Sequence, residues 1–182
     1  MTAPALREAT SDELDAAVLA QILDLGHACW PDGSFTQDDL EHALGGRHFL
    51  AEMDGRFVAH ASVVPRILEV GGRRLRGGYL EAVATLPRFQ RQGIATRLVE
   101  AANAHIDAAF VLGALSTSRP AFYERLGWQR WRGETWVRDR DGRLARTADE
   151  DDGILWRRTP STPDGVSGDE AIACEWRPGD VW

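Results

Sequence analysis

One stretch of the sequence brings an acidic side chain, a glycine turn and several arginines close together. Glu81 lies in the apolar run 79–86, and residues 90–95 read Gln-Arg-Gln-Gly-Ile-Ala ahead of an amphipathic segment. An acid among apolar neighbours is costly to bury unless it is paired. Glu81 therefore either forms a buried ion pair with an arginine or serves as a general base that deprotonates an ammonium group, directly or through water.

The glycine turn has the properties of an anion site. Apolar residues recur at three- and four-residue spacing after Gly93, which predicts a helix. The first N–H groups of a helix lack intrahelical partners, and the helix dipole makes that end partly positive. Gly93 and Ala95 carry little bulk, and arginines flank them at Arg88, Arg91 and Arg97. The sequence thus predicts a pyrophosphate site, although an ordinary helix start would also explain these residues.

The hydrophobic pattern predicts helices interleaved with strands. Helices are expected at 11–28 with Ser11 as cap, from Thr36 to the Gly45-Gly46 pair, after Gly93, and at 120–126. Strands are expected at 48–53, 56–65 with a continuation to 70, 74–85, 109–115, 129–137, 154–158 and 171–175. The strand–helix–strand order around Gly93 predicts a parallel pair, and Asp54-Gly55 predicts a hairpin turn. The expected fold class is α/β (α+β), a mixed central sheet with helices on both faces, in a single domain spanning residues 1–182.

Composition narrows the possible partners. The net charge of −7 argues against a nucleic-acid partner and suits a cationic substrate. The sequence has no apolar run of 18 residues, so no membrane span is expected, and its first twenty residues are too acidic for a signal peptide. A cytoplasmic location follows as an expectation. Five scattered histidines and two cysteines show no ligand spacing, so we expect structural histidines, reduced cysteines and no metal.

The motifs resemble those of a known family. Residues 90–95 are similar to the acyl-coenzyme A pyrophosphate loop of the GNAT N-acetyltransferases. A wider set of segments resembles the aminoglycoside 2'-N-acetyltransferases: 39–48, 78–82, 112–116, Gly127-Trp128 and the ending 174–182. The resemblance covers about Ser34 to Trp182. It implies the GNAT fold, acetyl-CoA as co-substrate, a homodimer, and direct acetyl transfer to the 2'-amine of a polycationic aminoglycoside in a ternary complex, which would confer antibiotic resistance.

The resemblance also implies residue roles. It implies three catalytic residues: Glu81 matches the family's acid, Tyr123 its general acid for the departing thiolate, and the Trp182 carboxylate can assist Glu81 in removing the proton. From the residues alone, Tyr123 could instead be a packed tyrosine with its hydroxyl on a carbonyl, and Trp182 could lie on the surface. The implied cofactor-binding residues are Val83, Ala84, Thr85, Gln90, Arg91, Gln92, Gly93, Ile94 and Ala95. The implied substrate-binding residues are Ser34, Asp39, Glu81, Ala82, Ser116, Thr117, Glu150, Asp151, Asp180 and Trp182.

Several alternatives remain at this stage. An acidic run is usually a solvated loop or helix end rather than a binding site. Ser34 stands where relatives have aspartate, and Thr117 replaces the more usual serine or alanine, which could alter affinity or substrate range. An acetyltransferase for a cellular polyamine, a peptidoglycan sugar or a protein amine would share the same core. A non-catalytic acyl-coenzyme A sensor would share the loop but have no turnover.

Overall fold

The computed structural model describes residues 3–182, and this part of the chain forms ten strands and four α-helices. The fold is mixed α/β with a mixed sheet, as the sequence predicted. The residues cluster into two compact units. The first comprises residues 3–64 with Leu80–Asn103, and the second comprises Pro65–Tyr79 with Ala104–Trp182. No helix across residues 3–182 has the length and apolar character needed to cross a membrane.

The first helix of the first unit begins later than predicted. Helix α1 spans Ala16–Cys29, and its cap is Asp15, whose Oδ1 accepts a hydrogen bond from the Val18 amide at 2.9 Å. Ser11 instead starts a short 3-10 turn. This turn ends at Leu14, which is buried and has an extended backbone. The expectation of Ser11 as the α1 cap is therefore wrong, because burying Leu14 requires a break between the two helical segments.

The remaining elements of the first unit largely follow the prediction. Helix α2 spans Gln37–His42 and starts at Thr36 as expected. Strands β2 (Arg47–Met53) and β3 (Arg56–Val70) form the predicted antiparallel hairpin, with positive φ at Asp54 and Gly55. Strand β1 (Ala5–Thr10), which was not predicted, pairs antiparallel with β2. The apolar faces of these elements form one core cluster, whose buried members are Ala9, Leu14, Val18, Ile22, Phe35, Leu40, Leu50 and Phe57.

Strand β4 (Arg73–Thr85) carries an irregularity at its centre. Ala82 has a φ of +48°, a left-handed conformation that non-glycine residues seldom adopt. Because the backbone turns at Ala82, the regular alternation of side chains between the two faces of the strand is interrupted there. Helix α3 (Ile94–Ala109) begins after the predicted glycine turn.

The second unit contains two groups of strands. Strand β5 (Leu112–Ser116) pairs parallel with the start of β4, as predicted, and antiparallel with β9 (Ile154–Arg158), which also pairs with β6 (Gln129–Arg130). The end of β3 pairs antiparallel with β10 (Ile172–Glu175). Strand β10 pairs parallel with β7 (Thr135–Arg138), which continues antiparallel into β8 (Leu144–Arg146). Helix α4 spans Pro120–Glu124.

The single strand predicted at residues 129–137 is wrong. Strands β6 and β7 are separate because the chain between them bonds elsewhere. The Trp131 indole is buried and donates to the Glu170 carbonyl at 2.8 Å, and the Gly133 amide donates to the Gly168 carbonyl at 3.0 Å. These bonds tie the intervening segment to the loop before β10. Strand β8 lies in the segment between residues 137 and 154, where no strand was predicted.

Candidate active site

Glu81 sits beside the irregular position of β4. Its side chain is half-buried, between the buried Leu80 and the strained Ala82. Ala82 packs partly buried against the apolar core of the first unit, so its main chain is held from that side. The left-handed φ at Ala82 redirects the peptide groups that follow, including the Val83 amide. The strand thus presents a carboxylate and a reoriented peptide group at adjacent positions.

The segment between β4 and α3 is braced by glutamine side chains. Gln90 Nε2 donates to the Thr85 carbonyl at 3.0 Å, and Cys29 Sγ lies 3.2 Å from the same oxygen. Gln92 Nε2 donates to the Arg88 carbonyl at 3.1 Å. Two glutamines predicted to bind cofactor therefore shape the loop through their amides. The Thr85 hydroxyl is buried and has no hydrogen-bond partner among residues 3–182.

The glycine turn itself has the geometry of an anion cradle. Arg91 and Gly93 have φ of 59° and 78°, and a Cβ placed on Gly93 would meet nothing within 4 Å. Arg88, Arg91 and Gly93 are exposed, whereas Ile94 is buried at the start of the 16-residue α3. The N–H groups at the start of α3, an open approach and two arginines together fit a pyrophosphate group.

The other two candidates in the first unit are engaged locally. The Ser34 hydroxyl donates to Asp32 Oδ1 at 2.8 Å, so Asp32 already orients this predicted substrate residue. Asp39 Oδ2 accepts the Thr36 amide and hydroxyl, each at 2.7 Å, in a capping box at the start of α2. Asp39 thus stabilises the helix in this structure, and its role toward substrate stays a prediction.

Tyr123, in the second unit, is a buried tyrosine on α4. Its ring makes edge-on contacts with Phe122 and Trp128, with centroids 4.8 and 6.3 Å away. Burial raises the pKa of Tyr123 to about 12, with Arg119 opposing the shift. Tyr123 is therefore a neutral phenol near pH 7, and its raised pKa makes it a weaker acid than an exposed tyrosine.

Asp151 is committed to internal bonds. Its carboxylate is paired with the Arg146 guanidinium and accepts the Thr135 amide at 3.0 Å and hydroxyl at 2.9 Å. Hydrogen bonding from Arg146 lowers the pKa of Asp151 to about 2. The carboxylate consequently connects β7 to the segment after β8. Its predicted contact with substrate would compete with these bonds.

Glu150, the preceding residue, has the opposite environment. It is half-buried, and burial together with the nearby charge of Asp180 raises its pKa above the ordinary value. The Ser116 hydroxyl lies 3.5 Å from Glu150 Oε2, so two predicted substrate residues are neighbours here. Thr117 follows directly, with its amide donating to the Gly153 carbonyl at 2.9 Å. The structure therefore brings Ser116, Glu150 and Asp180 close together.

Trp182 is buried rather than lying on the surface. Its indole N–H donates to the Thr147 hydroxyl at 2.9 Å, and its amide donates to Asp180 Oδ1 at 3.2 Å. Arg177 holds the same segment by donating to the Asp180 and Trp182 main-chain oxygens at 2.7 and 3.0 Å. The positions of Asp180 and Trp182 are thus fixed by Arg177 and Thr147.

Some residues important to this geometry were absent from the sequence predictions. Arg146 and Arg177 determine the environment of the acids, and His48 and His60 form a hydrogen-bonded pair that reaches Ala82. The predicted hairpin could have revealed the histidines, since both lie on one face of it. No sequence signal identified the arginine pairings.

Comparison with known proteins defines the class. Residues 5–131 match the family model described as an acetyltransferase (GNAT) domain. The solved GNAT N-acetyltransferase YhbS of Escherichia coli, in complex with CoA, superposes with a TM-score of 0.67 at 16% identity, covering 96% of this chain and 90% of that one. A probable N-acyltransferase of Enterococcus faecalis gives a TM-score of 0.60 at 15% identity. That match covers 73% of this chain, which spans about a third (34%) of the E. faecalis chain. These structures share the fold of an acetyltransferase.

A curated relative narrows the assignment. The aminoglycoside 2'-N-acetyltransferase of Mycolicibacterium fortuitum is 41% identical over 155 residues, which are 83% of this chain and 78% of that protein. The chain therefore belongs to the GNAT acetyltransferase family that includes this enzyme.

Proposed function

We propose that this enzyme transfers the acetyl group of acetyl-CoA to the 2'-amine of an aminoglycoside, directly and within a ternary complex. The observation that supports the substrate is the identity to the M. fortuitum enzyme over most of both chains. Acetylation removes one positive charge from the ligand, which weakens its electrostatic attraction to nucleic-acid phosphates, so resistance follows. The single-domain organisation, the homodimer and the cytoplasmic location stay predictions.

The first unit supplies the groups for the cofactor. Bound acetyl-CoA would supply an acetyl group on a thioester, which an amine can displace. The N–H groups at the start of α3, together with Arg88 and Arg91, bind the pyrophosphate. The backbone of Val83–Thr85 holds the acyl carbonyl and the pantetheine arm, and an N–H directed at that carbonyl stabilises the negative charge that develops there.

Proton transfer falls to two side chains. Glu81 removes a proton from the substrate ammonium, directly or through water, so that the nitrogen lone pair attacks the carbonyl carbon. A C–N bond forms and the C–S bond breaks. Tyr123, which is protonated at neutral pH, donates its proton to the departing sulfur as the C–S bond breaks.

The acids of the second unit provide attraction for a polycation. Glu150 and Asp180 interact unfavourably with each other, and a bound ammonium relieves that repulsion. Asp151 contributes less net charge, because Arg146 already neutralises it. We therefore assign the main cation contacts to Glu150 and Asp180, with Ser116 as a hydroxyl partner.

The experiment is a thiol-release assay with two matched aminoglycosides, one carrying a 2'-amine and the other a 2'-hydroxyl. Turnover with the amine alone is the expected result. Equal turnover with both would contradict the regiochemistry. Absence of turnover with either, but turnover with a polyamine or a protein amine, would favour another substrate class. Acetyl-CoA binding without turnover on any amine would favour a sensor.

A further inference from the structure

We propose that His60 and His48 are positioning residues for acetyl transfer, which form a one-way hydrogen-bond chain that holds and polarises the Ala82–Val83 peptide group beside Glu81. The inference rests on the proposed function for its catalytic consequence. Its structural basis lies wholly within the first unit. Neither histidine belongs to the loop or to the acids described above.

The chain consists of three consecutive short contacts. Ser11 Oγ lies 2.8 Å from His48 Nε2, His48 Nδ1 lies 2.9 Å from His60 Nε2, and His60 Nδ1 lies 3.0 Å from the Ala82 carbonyl oxygen. Both imidazoles have 0% exposure, so water does not reach them from outside. The cross-strand register explains the contact between them. Leu50 is the partner of His60, which puts His48 two residues along the same face of the hairpin.

The far end of the chain fixes the direction of every bond. A carbonyl only accepts, so His60 Nδ1 must carry the hydrogen that binds Ala82. In a neutral imidazole the other nitrogen is then an acceptor, so His48 Nδ1–H donates to His60 Nε2. By the same reasoning His48 Nε2 accepts from the Ser11 hydroxyl. Both histidines are therefore the Nδ1–H tautomer, and hydrogen donation runs from Ser11 toward Ala82.

Ser11 is oriented for this role. Its oxygen accepts the Gly45 and Gly46 amides at 2.8 and 3.2 Å, which leaves its single hydrogen to be donated. The competing acceptor, the Gly46 carbonyl, lies farther away at 3.3 Å and already accepts the Ser11 amide at 3.1 Å. His48 Nε2 is thus the better partner for the hydroxyl hydrogen.

The environment keeps both rings neutral. Burial lowers the pKa of His48 to about 4. Burial, with the neighbouring His48 adding to it, lowers the pKa of His60 to about 3. A protonated ring at either position would lose the acceptor nitrogen that the chain needs. The directed pattern of donors therefore persists at neutral pH.

The consequence falls on the peptide group that follows Ala82. The carbonyl of Ala82 and the N–H of Val83 belong to the same peptide group, so a hydrogen bond to the oxygen makes that N–H a stronger donor. The bond also restrains Ala82 in its uncommon conformation, with φ of +48°. The Val83 N–H belongs to the backbone segment proposed to hold the acyl carbonyl. If it is the donor to that carbonyl, its direction and strength affect the transition state more than the ground state.

Two substitutions of His60 distinguish a role in the hydrogen-bond chain from a role in packing alone. His60→Leu removes the donor to Ala82. His60→Asn places an N–H close to the position of Nδ1 and retains that donor. Leu25→Ala, which removes a buried side chain of α1 in the same unit, outside the core cluster that contacts Ala82, controls for loss of stability. Steady-state kinetics on an aminoglycoside with a 2'-amine, with folding checked by thermal melts, gives the comparison.

We expect His60→Leu to lower kcat by about 10-fold, since loss of a complete oxyanion donor costs about 10²–10³ and this change weakens a donor without deleting it. In His60→Leu, KM for acetyl-CoA should change by less than about threefold. His60→Asn should recover most of the lost kcat. Leu25→Ala should keep kcat near that of the wild type. Equal kcat in His60→Leu and the wild type would overturn the inference, as would equal losses in His60→Leu and Leu25→Ala.

A second readout does not depend on turnover. Nitrogen-15 NMR of the imidazoles should show both histidines as the Nδ1–H tautomer, and the Val83 amide proton should shift in His60→Leu but less in His60→Asn. Nε2–H tautomers, or an unchanged chemical shift of the Val83 amide proton in His60→Leu, would contradict the proposed hydrogen-bond chain. A wild-type protein that acetylates no amine would refute the proposed function instead. The NMR result would still show whether the hydrogen-bond chain exists.

Discussion

The two units hold their candidate residues in different ways. In the first unit these residues lie mainly in one continuous segment, Glu81–Ala95. The backbone there has left-handed positions at Ala82, Arg91 and Gly93, and its peptide groups are the proposed contacts to acetyl-CoA. In the second unit they come from four separate segments, and side-chain bonds decide which groups are available. Asp151 is occupied by Arg146, whereas Glu150 is destabilised as an anion by burial and Asp180. Under the proposed function, acetyl transfer would depend on a fixed backbone, and substrate recognition would depend on a balance of charges.

The contrast predicts its largest effect at Glu81. Glu81→Gln removes the proposed base but keeps the shape of the side chain, so kcat should fall by about 10²–10⁴. Acetyl-CoA affinity should be retained, because the loop proposed to bind pyrophosphate is unchanged. Steady-state kinetics and calorimetry measure the two effects. Glu100→Gln, an exposed acid on α3, is the matched control. A kcat within threefold of the wild type would remove Glu81 from the base role.

The histidine pair predicts acid sensitivity of the first unit. An unfolded histidine takes a proton near pH 6.5, whereas folded His60 stays neutral until about pH 3. The unfolded chain therefore binds more protons across this window, and the free energy of unfolding falls as pH drops below 6.5. Between pH 6.5 and 5, His60 alone should account for about 2 kcal/mol.

Urea unfolding at a series of pH values tests this dependence. His60→Asn, which cannot titrate, should flatten the slope below pH 6.5. His27→Asn, at an exposed histidine on α1, should leave it as in the wild type. Parallel pH profiles for the wild type and His60→Asn would show that the buried ring does not resist protonation.

The same contrast explains how far the sequence predicted the site. The loop before α3 was predictable because its glycine, glutamines and arginines are contiguous, and the Asp54-Gly55 turn specified a hairpin by local geometry alone. The histidine pair was missed because a search for ligand spacing along the chain overlooks neighbours across that hairpin. The environment of Asp151 could not be predicted, since its pairing with Arg146 depends on the β7–β8 turn.

Because Asp151 bonds to residues of its own unit, its substitution should lower the stability of the protein. Asp151→Asn weakens the bonds to Arg146 and Thr135, and the free energy of unfolding should fall by about 1–2 kcal/mol, a value discounted because the pair is partly exposed. The pKa of folded Asp151 lies below its ordinary value, so this stabilisation is present above about pH 4 and is lost as pH falls toward about 2. Chemical denaturation provides the measurement, with the exposed Asp152→Asn as control. Equal stabilities of the two variants would contradict a structural role for Asp151.

Glu150 should show the smallest effect, and it should appear in substrate affinity rather than in stability. Glu150 and Asp180 repel each other, and a bound cation would relieve that repulsion. Because Glu150→Gln removes one of these two carboxylates, KM for the aminoglycoside should rise by about 3- to 10-fold while kcat changes little. Because the pKa of Glu150 is raised, this carboxylate gains its proton at a higher pH than an ordinary glutamate. The wild-type KM should therefore rise on acidification before the protein unfolds, and the variant should lack that rise. Asp141→Asn, at an exposed acid between β7 and β8, controls for the general effect of net charge. If both variants raise KM equally, the acids of the second unit act as a diffuse field, and the local balance between Glu150 and Asp180 has no special part in binding.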